Sequence, residues 1–255
     1  MDPKDLHAFL EEKTLFYNRP SFIENDPICI PHLFSKKEDI EIAGFLVATI
    51  AWGKRSIIIN NGHKLMQLLE NDPHSYITVS NEKEFNKLGH FVHRTFNQQD
   101  LLYFLRSLRN IYLNHGGLEK VFSRKQAKES DLGTAIFHFR NVFFSSDLPG
   151  RTAKHVSNPM EGSSAKRIAM FLRWMVRNDK AGVDFGIWKG LKPSQLVIPL
   201  DVHSGRIARM LGLLSRKQDD WKAVTELTQR LREFDPIDPV KYDYALFGLG
   251  VNEAF

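Results

Sequence analysis

Apolar positions recur at three- and four-residue steps along most of the chain, and strict alternation over strand length is almost absent, which predicts an all-α protein. Leu6, Phe9, Leu10 and Phe16 line a first helix. Ser35 and Glu38 have capping-box spacing ahead of Ile40, Gly44, Val47 and Ala51, marking the start of a second helix that should be buried. Two more are expected over about 56–70, stopped by Asp72-Pro73, and about 98–114, stopped by Gly116-Gly117. Leu132, Ala135, Ile136, Phe139 and Phe143 form a stripe that ends at Ser145-Ser146, before a loop from Asp147 to Ser164 rich in Pro, Gly, Ser and basic residues. Beyond it, helices are expected over about 164–177, 201–214, 219–234 and 238–249, with 178–200 mostly irregular. No repeat and no flexible linker divides the chain, so a single domain of two helical lobes fits the pattern.

With 255 residues, 42% hydrophobic and 25% charged, the chain is an ordinary globular sequence that can bury a core without disulfides or a structural metal. Cys29 is its single cysteine, which excludes an internal disulfide framework, a four-cysteine zinc site and a four-thiolate iron–sulfur cluster. Flanked by Ile28 and Ile30, it reads as a small hydrophobe, and a reducing cytoplasm is the expected location. Asp5, Glu11, Glu12 and Lys13 break the order a signal peptide requires. The longest near-apolar run, Ile42 to Trp52, falls short of the ~20 residues that cross a bilayer, so no membrane association is expected. Gly53-Lys54-Arg55-Ser56 lacks the P-loop pattern, having Ala48 and Arg55 where glycine and a hydroxyl belong. His90 and His93 lie one turn apart without a third ligand fixed by spacing; no metal and no cofactor are expected. Trp52, Trp174, Trp188 and Trp221 read as core or inter-lobe anchors, with stacking on an extruded base as the other use.

Positive charge is concentrated. Between residues 150 and 178, Arg151, Lys154, Lys166, Arg167, Arg173 and Arg177 stand against Glu161 alone, an excess equal to the +5 of the whole chain. On a helix, Lys166, Arg173 and Arg177 fall within about 20° of one line. The positions between them, Ile168 to Val176, are apolar around most of the circumference, so three cations beside a largely buried helix need partners. Backbone N–H groups near Gly162 would add a phosphate site, making nucleic acid the leading polyanion and a solvated helix face the alternative. Asp235, Asp238, Lys241, Tyr242 and Asp243 crowd two prolines, reading as a turn and a charged helix start, or as a source of one carboxylate near a pocket.

Gly162-Ser163-Ser164-Ala165-Lys166-Arg167-Ile168-Ala169-Met170-Phe171, followed by Ile198-Pro199-Leu200-Asp201-Val202-His203-Ser204-Gly205-Arg206 and Leu211-Gly212-Leu213, resembles the core of helix-hairpin-helix DNA glycosylases. The resemblance implies two helical lobes, one of about 36–144 and one of about 1–35 plus 145–255, with Lys166 and Asp201 in the cleft between them. The spacing of these two residues is similar to that of the archaeal 8-oxoguanine glycosylase branch, which implies an oxidised purine as the target. Lys166-Arg167-x-x-Met170-Phe171-Leu172-Arg173-Trp174-Met175-Val176-Arg177 and Asp238-Pro239-Val240-Lys241-Tyr242-Asp243 also resemble, nearly end to end with the rest, a bacterial family of unknown function.

The implied chemistry is base excision on damaged double-stranded DNA. Lys166 attacks the sugar carbon as a neutral amine, which desolvation and the neighbouring Arg167 and Arg173 favour; the Schiff base then permits strand cleavage by elimination. Asp201 assists deprotonation or stabilises positive charge on the sugar. Pro199 ahead of it and Ile207, Met210, Leu211 and Leu214 after it place this carboxylate at a helix start, where a plain N-cap is the alternative. DNA contacts are expected from Gly162, Ser163, Ser164, Arg167, Arg173, Arg177, His203 and Arg206, and from Lys54, Arg55, Arg151 and Lys154. Two departures stand out: Gly162 lies four residues before Lys166 with no Leu-Pro-Gly-x-Gly run beside it, and Trp52 to Ser56 replaces a glutamine-rich wedge with a charged one. They motivate a non-catalytic nucleic-acid-binding protein of the same fold as the alternative, with a small-metabolite enzyme third.

Overall fold

A computed structural model describes residues 2–123, 132–145 and 150–252. The chain is mostly helical: α1 (Pro3–Tyr17), α2 (Lys37–Thr49), α3 (Arg55–Leu68), α4 (Pro73–Val79), α5 (Glu82–Lys87), α6 (Gln98–Asn114), α7 (Leu118–Ser123), α8 (Leu132–Phe143), α9 (Lys166–Val176), α10 (Val202–Met210), α11 (Trp221–Phe234) and α12 (Asp243–Asn252). Among the described residues there is no strand, only isolated bridges at His93–Phe96 and Ser163–Asp220, and no helix is long and apolar enough to cross a membrane. The chain divides into two compact units, one of Ile23–Ser130 and Thr134–Ser157, the other of Met1–Phe22, Asp131–Gly133 and Asn158–Phe255.

The first unit is built around α2, whose residues from Asp39 to Thr49 are all buried. Phe45 on this helix meets Phe104 of α6 and Phe139 and Phe143 of α8 at ring separations of 5.4–5.8 Å, an aromatic core in stacked, tilted and edge-on pairs. The expected capping box does not form: Lys36 is the N-cap, without a side-chain bond, which leaves Glu38 one position short of the reach a box needs. A box forms instead at α6, where Asn97 Oδ1 accepts from the Gln99 and Asp100 amides and Asp100 Oδ2 accepts from the Asn97 amide at 2.9 Å. Residues 23–35, read from sequence as part of the other lobe, belong here because Ile28 and Ile30 are fully buried on 3-10 turns that pack against α2 and α3.

In the second unit, α1 and α10 pack on α12. Leu6 and Leu10 are buried as expected, whereas Phe16 is exposed beside Tyr17 and Arg19. The stretch 178–200 is irregular yet ordered by burial of Val183, Trp188, Leu191, Leu196 and Ile198, and amides of Phe185 and Trp188 donate to carbonyls of Trp174 and Met175 on α9. Helix α10 stops earlier than the apolar stripe suggests, because Gly212 turns at φ +72° and the Leu213 amide closes on the Ala208 carbonyl. The expected loop 147–164 begins with residues 147–149 outside the described set, as Ser146 also is; its described part holds the 3-10 turns Gly150–His155 and Pro159–Glu161.

Candidate active site

Lys166 is the first residue of α9, and the chain ahead of it turns through two left-handed residues, Gly162 at φ +86° and Ala165 at φ +49°. The Asn158 side chain caps the preceding 3-10 turn, Ser163 Oγ accepts from the Ala165 amide at 3.3 Å, and the Gly162 carbonyl accepts from the Trp221 amide at 3.0 Å, tying the turn to the start of α11. Asp201 caps α10: its Oδ1 accepts from the His203 and Ser204 amides at 2.9 and 3.1 Å. The cap and the ion pair use different oxygens, since Oδ2 lies 3.6 Å from Lys166 Nζ. Both side chains are about one-quarter exposed, open enough for a ligand to reach and sheltered enough for the pair to be fixed.

The amine is further enclosed by Met170 Sδ at 3.5 Å and by the Phe247 ring, whose centroid is 6.0 Å away. One turn before Phe247 on α12 stands Asp243, buried and paired with Arg173. Burial pushes its carboxyl up to about 6, against the pull of Arg173 and Lys166 and with the push of Asp201 and Asp184. An amine, a carboxylate 3.6 Å from it and a second, buried carboxyl are thus gathered by three helices of one unit. Asp201 is therefore an N-cap whose second oxygen also faces Lys166.

Arg173 and Arg177, expected from sequence as DNA contacts, are buried in ion pairs instead. Each is only 3% exposed, because a helix buried on nearly all sides carries its ridge of cations inward, where charge must be matched. Arg173 Nε meets Asp184 at 3.3 Å while its Nη1 binds Asp243, and Arg177 reaches Asp184 at 3.1 Å, Asp238 at 2.8 Å and also Asp179. Both guanidinium groups lie over the Tyr244 ring, at 4.3 and 5.4 Å. Burial alone would make Arg177 a weaker base, yet Asp184, Asp238 and Asp179 carry it above its usual value. Arg167 is half-buried, and burial pushes it down to about 10, so it stays cationic at neutral pH.

The other expected contacts fall in two groups. Gly162 is exposed and Ser163 and Ser164 half-buried in the turn before α9, while His203 and Arg206 are exposed on α10, the latter donating to the Gly250 carbonyl at 3.3 Å. Lys54, Arg55, Arg151 and Lys154 belong to the first unit. Arg94, which no periodic pattern marks, lies against Gly53 in the first unit, and Asp243, given only a minor place by sequence reasoning, closes the Asp238 to Asp243 segment. His93 is buried, donating from Nε2 to the Trp52 carbonyl and accepting from Asn61 at Nδ1, and burial lowers its basicity.

Residues 26–252 match a family described as a protein of unknown function, DUF2400. No curated protein and no solved structure matches the chain.

Proposed function

The chain belongs to the DUF2400 family, and we propose that it is a helix-hairpin-helix type DNA glycosylase with lyase activity, in which Lys166 is the nucleophile and Asp201 its acid–base partner. The observation that carries this reading is the 3.6 Å approach of Lys166 Nζ to the one oxygen of Asp201 that the α10 cap leaves free. Asp201 Oδ2 takes a proton from the ammonium. The neutral amine then forms an N–C1′ bond as the glycosidic C1′–N bond breaks, and the base leaves with the electron pair and is protonated. A proton passes from the attached nitrogen to O4′ as the C1′–O4′ bond breaks, opening the sugar to the protonated Schiff base, and loss of a C2′ proton to water then expels the 3′ phosphate with the C3′–O electron pair. The cap holds Oδ1 through both amides, so Oδ2 is positioned before substrate arrives. Arg206, His203 and the Gly162–Ser164 turn lie on the same unit as sources of phosphate contacts.

Borohydride trapping on duplexes carrying oxidised, deaminated, alkylated or abasic sites tests the proposal. A covalent adduct is expected with the native protein and none with Lys166→Gln, whose duplex affinity should stay within a few fold. Trapping that survives Lys166→Gln moves the nucleophile elsewhere. Neither trapping nor base release on any of these substrates leaves a non-catalytic nucleic-acid-binding protein.

A further inference from the structure

Asp243 is buried in the unit that holds Lys166, and no step proposed above uses it. Its place follows from a seam between α9 and α12. On α9, Lys166, Met170 and Arg173 follow one another at helical spacing and share one face; on α12, Asp243 and Phe247 do the same. Two rungs close the seam: the Phe247 ring, 6.0 Å from Lys166 Nζ, at the more exposed end, and the Arg173–Asp243 ion pair beneath it. Lys166 Nζ reaches Met170 Sδ at 3.5 Å, so the lysine side chain lies back along α9 toward the Arg173–Asp243 rung.

A third helix brings the other carboxylate. A Cβ at Gly250 would lie 3.0–3.2 Å from the His203 side chain and backbone, so this glycine lets α12 close on the first turn of α10, which Asp201 caps. Lys166 thus has Asp201 at 3.6 Å near the surface and Asp243 below. Asp243 responds to both charges, and the pull of Lys166 on it exceeds the push of Asp201. Because such coupling is reciprocal, the Asp243 charge acts more strongly on Lys166 than on Asp201 and opposes passage of a proton from the one to the other. Around Asp243, α9 presents Arg173 and Lys166, the α10 cap presents Asp201, the irregular segment presents Asp184, and Tyr244 is its neighbour on α12. Lys241, on the turn before α12, is taken up by Glu11 and Asp235, α1 meets α12 through Tyr17 on Gly248, and His203 and Arg206 meet it at Gly250.

We propose that Asp243 is a positioning residue for Lys166: its buried negative charge holds the amine as an ammonium, and neutralising Asp243 frees the amine for attack. This inference rests on the reading of Lys166 as the nucleophile. Asp243 acts through Lys166 and touches no substrate. Arg173 anchors its carboxylate and Asp184 braces Arg173, so the charge is fixed beneath the amine before substrate arrives.

Two measurements test it. Carbon NMR titration of the carboxyl groups reads the Asp243 midpoint in the native protein and in Lys166→Gln, a change at a partly exposed side chain on the first position of α9. Removing this cation should raise the midpoint by about half to one pH unit. Borohydride trapping on a damaged duplex then compares native protein with Asp243→Asn across pH. The variant should trap roughly 3- to 10-fold faster near about pH 8, where native Asp243 is charged, and within about twofold of native near about pH 5, where native Asp243 is neutral as well. A merely structural Asp243 would lower the rate at every pH. A midpoint unmoved by Lys166→Gln, or a variant slower than native at both ends of the range, overturns the inference and leaves Lys166 as the nucleophile wherever native protein traps. If Asp243→Asn does not fold, the midpoint decides alone. Absence of trapping by native protein on every damaged duplex overturns the nucleophile reading and this inference with it.

Discussion

Replacing Arg177 with glutamine separates the two roles its place in the sequence suggests. In the structure this guanidinium donates to Asp238 at 2.8 Å and to Asp184 at 3.1 Å, pairs with Asp179, lies over Tyr244 and is 3% exposed. Removing one partner from a buried ion pair leaves uncompensated charge and costs about 3–5 kcal/mol. For a chain of this size each kcal/mol lowers the thermal midpoint by roughly 2 °C, which gives a drop of about 6–10 °C. Asp184 keeps Arg173 in the variant, so the loss falls mainly on Asp238, whose carboxyl burial already pushes up. That group takes a proton readily once its cation is gone, and the deficit should therefore narrow as pH falls toward 5. Scanning calorimetry at two pH values gives the midpoints, and duplex titration across salt gives the contact count. A midpoint within about 2 °C of native together with a salt slope reduced by about 0.9 would refute the buried assignment, because those are the marks of a phosphate contact.

Asp201 offers a cleaner division between folding and chemistry: Asp201→Asn keeps an N-cap acceptor and should leave stability nearly unchanged, whereas Asp201→Ala should cost about 1 kcal/mol in urea unfolding. Both should slow base release by about 10²- to 10⁴-fold, and activity retained in either variant would assign Asp201 to the cap alone. Asp243 gives a pH signature. Its carboxyl is raised from 3.8 to about 6 in the folded protein, so the stability it contributes is complete below about pH 4 and is lost as pH rises toward 6, about 3 kcal/mol in all. Relative to native protein, the deficit of Asp243→Asn should shrink by that order between pH 4 and 6.5; a deficit that grows with pH would mean the Arg173 pair dominates.

The all-helical architecture was legible wherever a helix buries one face beside its own stop signals. The expected span 98–114 is also the observed α6, because Asn97 and Asp100 cap one end and Gly116-Gly117 ends the other within a few residues. Lys166 and Asp201 were legible as residues that open helices, yet the use of separate Asp201 oxygens for cap and ion pair is a matter of side-chain geometry that spacing does not carry. Helical arithmetic placed Arg173 and Arg177 on one line correctly and misjudged where that line points. Their partners Asp184, Asp238 and Asp243 lie between 7 and 70 residues away, one of them in an irregular stretch with no pattern to locate it. The place of Arg94 was illegible for a related reason: it meets Gly53 and stands next to the Thr95 contact of Arg151 only through tertiary packing, and no periodic position marks it. The failed box at Ser35 and Glu38 shows the limit of short motifs, since a one-residue shift in the helix start removes the geometry that gives the motif its meaning.

The most direct measurement is the location of the covalent bond. Native protein trapped by borohydride on a damaged duplex, digested and sequenced by mass spectrometry, should carry the reduced sugar remnant on Lys166, at the first position of α9 and facing Asp201. A remnant found on another lysine, such as Lys154, or on no lysine at all, would contradict the assignment of Lys166 as the nucleophile.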